Sequence, residues 1–397
     1  MPCHHAIVVP VLLGMPCSSF YLLTKSAKYI IMNDPRDTQL ASLILEHSIG
    51  LQQGERILIN LIGFNGIGLA RELVRLSREQ GALPYLELSD PEIQRILLEK
   101  GDDNYWADQT SVLGLPLMQQ MNAYVGIRAS ENIYEASGVS PESNSAFQRH
   151  YLKPVHFDQR VKKTRWCVLR YPSPAFAMNA RMPTAAFTDF YYRACLLDYK
   201  KLRDAMMPLE ERLRRTSEIR LEGPGTDIRL HVDGQNWINC HGTKNIPDGE
   251  LFSSPLPGSV NGIIRYAPTV YQGKPFDFVE LTVKDGIVID FDASDRSSLQ
   301  TILETDEGSR QFGEFSFGTN PVIEKPMYDI LFDEKIYGSN HLTLGQDYDE
   351  APNGNKSQIH WDLVCIGANV WLDGELVREG RRFIAPELQA LNPDNPG

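Results

Sequence analysis

The sequence predicts an α/β chain of two domains: an N-terminal α/β domain with a mostly parallel sheet, then a β-rich α+β C-terminal domain. Three observations carry this. The chain has 397 residues, about twice the usual length of one domain. Its first part alternates helical and strand periodicities, the pattern of βαβ units. From residue 218 the pattern becomes short alternating strands separated by turn dipeptides. The boundary is set near residue 216, giving domains 32–215 and 216–397 after an N-terminal extension, 1–31.

Asp34-Pro35 opens the folded pattern, and Leu40, Leu43, Ile44 and His47 fall at helical spacing before Gly50 and Gly54. His47 reads as a half-buried structural histidine. Ile57 to Ile62 is a nearly continuous apolar run, as expected for a parallel strand covered on both faces. A glycine-bearing turn leads to a helix carrying Leu69, Leu73, Val74 and Leu76, closed by Gly81. Leu83 to Leu88 is the next strand, and Asp90-Pro91 supplies an N-cap and a first-turn proline for another helix. Residues 130–160 are polar and turn-rich, Trp166 to Leu169 is a strand, and one helix is expected from about Thr184 to Arg215. The later turns are Gly223-Pro224-Gly225, Asp233-Gly234, Asp285-Gly286 and Asp373-Gly374.

Composition excludes several classes. Asp and Glu number 51 against 39 Lys and Arg, a net charge of −12, which opposes nucleic acid and anionic lipid as partners. With 42% hydrophobic and 23% charged residues the chain is globular. Six cysteines without a CxxC pair indicate reduced thiols and a cytoplasmic location. Ala6 to Leu13 contains Pro10 and has no cationic flank, so it is a poor signal peptide and too short for a membrane span. Gly63-Phe64-Asn65-Gly66-Ile67-Gly68, with Glu87 beyond it, invites a nucleotide-binding reading, but its order is GxxGxG rather than GxGxxG. A strand-to-helix turn is the simpler reading.

The second half concentrates oxygen and nitrogen donors. Glu250 follows the turn at Pro247-Asp248-Gly249, Glu314 stands between Gly313 and Phe315, and His341 precedes Tyr348 by seven residues. In Ile359-His360-Trp361-Asp362-Leu363, period two puts His360 and Asp362 on one face and the apolar residues on the other. A carboxylate among apolar neighbours is costly to ionise unless paired or metal-bound. Three carboxylates and two imidazoles suit Zn²⁺, Co²⁺ or Mn²⁺. No HExxH, GxSxG, P-loop or EF-hand pattern competes.

Taken with RYPSPAFA at 170–177, FYYRACLLDY at 190–199, GPGTDI at 223–228, NIPDGELF at 245–252, LFDEKIYGSNHLTLG and IHWDL, these residues resemble the metallo-aminopeptidases typified by aminopeptidase T and aminopeptidase S. The likeness spans nearly all of 32–385. It implies a C-terminal metal-binding catalytic domain, two divalent ions (Zn, Co or Mn), a homodimer, and peptide substrates with a free N-terminus. It places metal ligands at Glu250, Glu314, His341, His360 and Asp362, with Glu314 as the bridge, and catalytic roles at Tyr348 and Glu334. Glu334 stands further from the first histidine than the family pattern has it. The alternatives are a mononuclear non-haem iron ring-cleaving dioxygenase on the same scaffold, and a non-catalytic protein whose βαβ unit holds a nucleotide.

Overall fold

A computed structural model describes residues 34–394, so the extension 1–31, with Cys3 and Cys17, lies outside the described residues. Five strands, Leu83–Ser89, Arg56–Ile62, Ala123–Arg128, Arg165–Arg170 and Asn245–Ile246, form the first sheet in that spatial order, every pairing parallel. Asn245–Ile246 comes from beyond residue 216 in sequence and still completes this sheet. Helices Arg36–Leu43 and Ile67–Glu79 pack on each other and bury Leu40, Leu69 and Leu73. Asp90 caps the helix Pro91–Lys100 through the amides of Glu92 and Ile93, as the Asp-Pro pair predicts.

At the glycine turn, Gly63 has φ +81°, and a Cβ there would stand 2.4 Å from the carbonyl oxygen of Ala129. Close approach of two strand ends accounts for this glycine without a ligand. His47 is partly buried, its Nε2 2.7 Å from the His241 carbonyl oxygen and its ring stacked on Tyr199.

Two sequence expectations are corrected. The polar stretch 130–160 carries the helix Pro141–Phe147 and a wider-wound helical segment, Gln148–Val161. Buried Ala146 and Val155 give it a packed side that its polarity conceals. The single helix 184–215 is two, Thr184–Cys195 and Tyr199–Leu213. Leu196 leaves the helical region at ψ 43°, and Asp198 starts the second helix by accepting from the amides of Lys200 and Lys201. The break lets the first helix pack in the N-terminal core, through Phe187, Phe190 and Tyr191, while the second gives Met206, Leu209 and Leu213 to the C-terminal core.

The C-terminal half holds two large antiparallel sheets and a two-stranded one, Thr269–Tyr271 with Lys274–Phe276. An eight-stranded one contains the hairpins turning at Asp285-Gly286 and Asp373-Gly374. Both dipeptides have positive φ at each residue (50° and 78°, 48° and 82°), the left-handed pair such hairpins demand. A six-stranded path runs His360–Trp361, Ser339–Gly345, Phe312–Gly318, Glu250–Ser253, Ile238–Cys240, with Val364–Ile366 also pairing with Ser339–Gly345. One apolar core unites them, including Ile219, Leu221, Ile228 and Leu281 of the first sheet and Phe315, Phe317, Leu342 and Leu344 of the second.

Candidate metal centre

The strand Phe312–Gly318 is buried at every position, so period two alone decides which side chains meet the apolar core. Phe315 and Phe317 enter it, against Trp237. Glu314, Ser316 and Gly318 then share the other face. Register places Thr343 opposite Glu314, His341 opposite Ser316 and Glu250 opposite Gly318. The register slips between Phe312 and Glu314, and a Cβ on Gly313 would stand 2.4 Å from the carbonyl oxygens of Gly345 and Gln346. A bulge of this kind re-aims the neighbouring side chain, here Glu314.

The structure brings all five expected ligands together. Glu250, Glu314 and His341 form one trio and Glu314, His360 and Asp362 a second, donor atoms within 4.8 Å of one another in each. Glu314 belongs to both: its Oε1 accepts from His341 Nε2 at 3.1 Å, and its Oε2 lies 3.3 Å from His360 Nε2. Asp362 Oδ1 is 3.1 Å from His360 Nε2 and accepts from the Thr343 hydroxyl at 2.6 Å. Ile359, Trp361 and Leu363 point into the C-terminal core, as the alternation predicts.

His360 tests the fit of a cation. Its Nδ1 lies 2.7 Å from the Gln346 carbonyl oxygen, which only accepts, so Nδ1 carries a hydrogen and Nε2 is left to hold a metal cation or a second proton. That Nε2 is buried and makes no hydrogen bond of acceptable angle, despite the two carboxylate oxygens beside it. A lone pair facing two anions is repulsive unless a positive charge stands among them. A backbone acceptor fixing the far nitrogen is also how metal-binding imidazoles are commonly oriented. The residues present therefore fit a divalent cation.

Titration behaviour makes the same demand. Burial disfavours an imidazolium at both histidines, yet Asp362 and Glu314 push His360 up to about 12, and Glu314 lifts His341 to about 9. For Glu314 itself burial favours the neutral acid, but His341, hydrogen-bonded to it, and the His360 imidazole beside it hold it below the usual range. Without a metal, protons supply the positive charge that this cluster of acids requires.

Glu334 is delivered differently. The segment 330–336 dips into the N-terminal core through Phe332 and Ile336, both wholly buried. Its turn crosses the site strand at Gly318, where a Cβ would stand 2.2 Å from the Ile336 carbonyl oxygen. Burial raises the Glu334 carboxyl to about 8, with Lys335 pulling the other way. Tyr348 is 42% exposed, its ring centroid 4.6 Å from that of His360 and 5.7 Å from that of Phe252. It stands at the open edge of the cluster.

Sequence reasoning missed Lys335. Its side chain is wholly buried and its ammonium meets Glu250 Oε1 at 2.7 Å, Glu334 Oε1, and Asp248 Oδ1 at 3.9 Å. The available signal was Asp333-Glu334-Lys335 set between Phe332 and Ile336, charges enclosed by apolar residues. Asp248, in the turn before Glu250, is likewise buried, and its oxygens accept from the amides of Gly242 and Gly249.

Comparison with known proteins agrees with this geometry. Residues 34–382 match the family described as Thermophilic metalloprotease (M29). The chain belongs to the M29 metalloproteases. This M29 chain is 24% identical to Aminopeptidase 2 of Geobacillus stearothermophilus, covering 86% of the chain and 94% of the relative. It is 28% identical to Aminopeptidase T of Thermus aquaticus over 43% of the chain and 47% of the relative. The fold is shared with wild-type AmpT from Thermus thermophilus: TM-score 0.76, 21% identity, 88% of this chain and 99% of that one. The M29 chain is thus a peptidase of a metal-dependent family, and among its described residues no helix is long and apolar enough to cross a membrane.

Proposed function

We propose that this metalloprotease is an aminopeptidase that removes N-terminal residues from peptides at a centre of two divalent ions. The single observation carrying the reading is that Glu314 offers one oxygen to each of two donor trios. Glu250, Glu314 and His341 would hold one ion and Glu314, His360 and Asp362 the other; the donor types suit Zn²⁺, Co²⁺ or Mn²⁺. Such a pair, when bound, polarises a carbonyl and supplies a nucleophilic water near neutral pH.

The chain's own groups contribute the rest. The free α-amine of the substrate would be held by one of the ions or by an acid beside it. Tyr348, at the open edge beside His360, would donate its hydroxyl to the oxygen on which charge develops. Glu334 Oε1 is engaged by Lys335, leaving Oε2 to take and return a proton.

Domains meeting near residue 216, cytoplasmic residence and homodimer assembly complete this reading, and the four described cysteines, all free thiols, accord with a reducing compartment. The iron dioxygenase alternative needs two histidines and one carboxylate, which leaves the surplus acids without a purpose. The deciding experiment is metal analysis of the purified protein, paired with aminoacyl p-nitroanilide hydrolysis before and after chelation. Two ions per chain, activity lost on chelation and restored by Zn²⁺, Co²⁺ or Mn²⁺, is the expected result. Full activity without metal rejects the proposal.

A further inference from the structure

Lys335 carries a buried positive charge against three acids of the cluster, Glu250, Glu334 and Asp248. Among the described residues no other Lys or Arg nitrogen forms an ion pair with Glu250, Glu314, Glu334, Asp248 or Asp362. A buried ammonium persists only when well paired, and this one bridges Glu250 and Glu334 directly. Its backbone has little freedom to move it elsewhere. Phe332 and Ile336 anchor the turn on both sides in the N-terminal core, and Gly318 admits the turn against the site strand.

The two oxygens of Glu250 are thereby given different partners. Oε1 receives the ammonium, whereas Oε2 faces Ser316 Oγ at 3.4 Å and His341 Nε2 at 3.9 Å. Cys240, Asp248 and Glu250 would otherwise form a third donor trio, but the ammonium meets two of its three members, 2.7 Å from Glu250 and 3.9 Å from Asp248.

Resting on the metal-centre reading above, we propose that Lys335 is a positioning residue that acts as a built-in cation. It restricts Glu250 to one metal-facing oxygen and holds Glu334 beside the centre, so that divalent-ion affinity is given up for turnover. Two consequences oppose each other. A fixed positive charge repels a divalent ion bound a few ångströms away, so removing it tightens ion binding. The same removal frees Glu334 from its place, which slows the chemical step.

The test compares Lys335→Met and Lys335→Arg with the wild-type chain. Affinity for Zn²⁺ is measured by competition with a chromogenic chelator, ion content by elemental analysis, and kcat and KM with an aminoacyl p-nitroanilide. In Lys335→Met the more weakly held ion is expected to bind about tenfold tighter or more, with kcat down about 100-fold and KM changed less. Structural damage alone would weaken ion binding and activity together. Lys335→Arg keeps the charge with different reach, so near-wild-type ion affinity with lowered kcat is expected; tightened Zn²⁺ binding there overturns the proposal even if Lys335→Met does not fold. Unchanged or weaker ion affinity in folded Lys335→Met, or unchanged kcat, overturns it while leaving the metal centre standing. A wild-type chain that binds no divalent ion overturns both.

Discussion

Two buried carboxylates, one in each half of the molecule, are shifted in opposite directions although burial raises both. Asp37, in the helix before the parallel sheet, is fully buried and accepts from the hydroxyls of Tyr192 at 2.8 Å and Tyr171 at 3.1 Å. Those neutral donors only partly offset burial, and its carboxyl rises to about 6. Glu314 is nearly as buried, 3% exposed, yet is held below its usual range because its partners are imidazoles. The charge of the partner, not the depth of burial, sets the direction. A structural acid can be left to protonate, whereas an acid proposed to hold metal must stay ionised.

The largest effect is expected where that distinction is removed. Glu314→Gln keeps shape but turns one acceptor oxygen into a donor and deletes the charge shared by both trios, so ion content should fall below one per chain and kcat/KM by about 10³ or more. Elemental analysis with steady-state kinetics checks it; retained metal would deny the shared role. Next comes Gly318→Val, which forces the Glu334–Lys335 turn off the site strand. We expect kcat to fall about 10²-fold with the bound ions retained, separating the positioning of Glu334 from the binding of metal.

Asp37→Asn sharpens the other side of the comparison. A carboxyl titrating near 6 when folded and near 3.9 when unfolded makes the fold less stable as pH rises between those values. The loss is about 3 kcal/mol once the group is fully ionised. Urea melts at pH 4 and pH 8 should therefore show Asp37→Asn gaining on the wild type as pH rises, with the gain complete above about pH 7. A gain of equal size at both pH values would contradict the assignment. The smallest effect is at the helix break: Asp198→Ala loses a cap and should cost about 1 kcal/mol in the same assay, without changing ion content.

Much of the fold was legible because it rests on local rules. The continuous run at Ile57–Ile62, the Asp90-Pro91 cap and the Asp-Gly hairpins each encode their geometry within a few residues. The shared face of His360 and Asp362 was legible for the same reason, since period two needs no tertiary information. The break at Leu196 was not, because an apolar face continues across it and only the two different cores receiving the two helices separate them. The helical stretch within 130–160 was hidden by its polarity.

The sequence alone determined which side chains could chelate, the alternation that separates donors from core, and membership of a fold able to host them. Only the tertiary structure decided that Glu314 serves two trios, that Glu334 arrives on a turn anchored in the other half, and that Lys335 is buried among acids. These are contacts between residues far apart in sequence. Their energies depend on burial and on the charge of the neighbour, quantities that exist only once the chain has closed on itself.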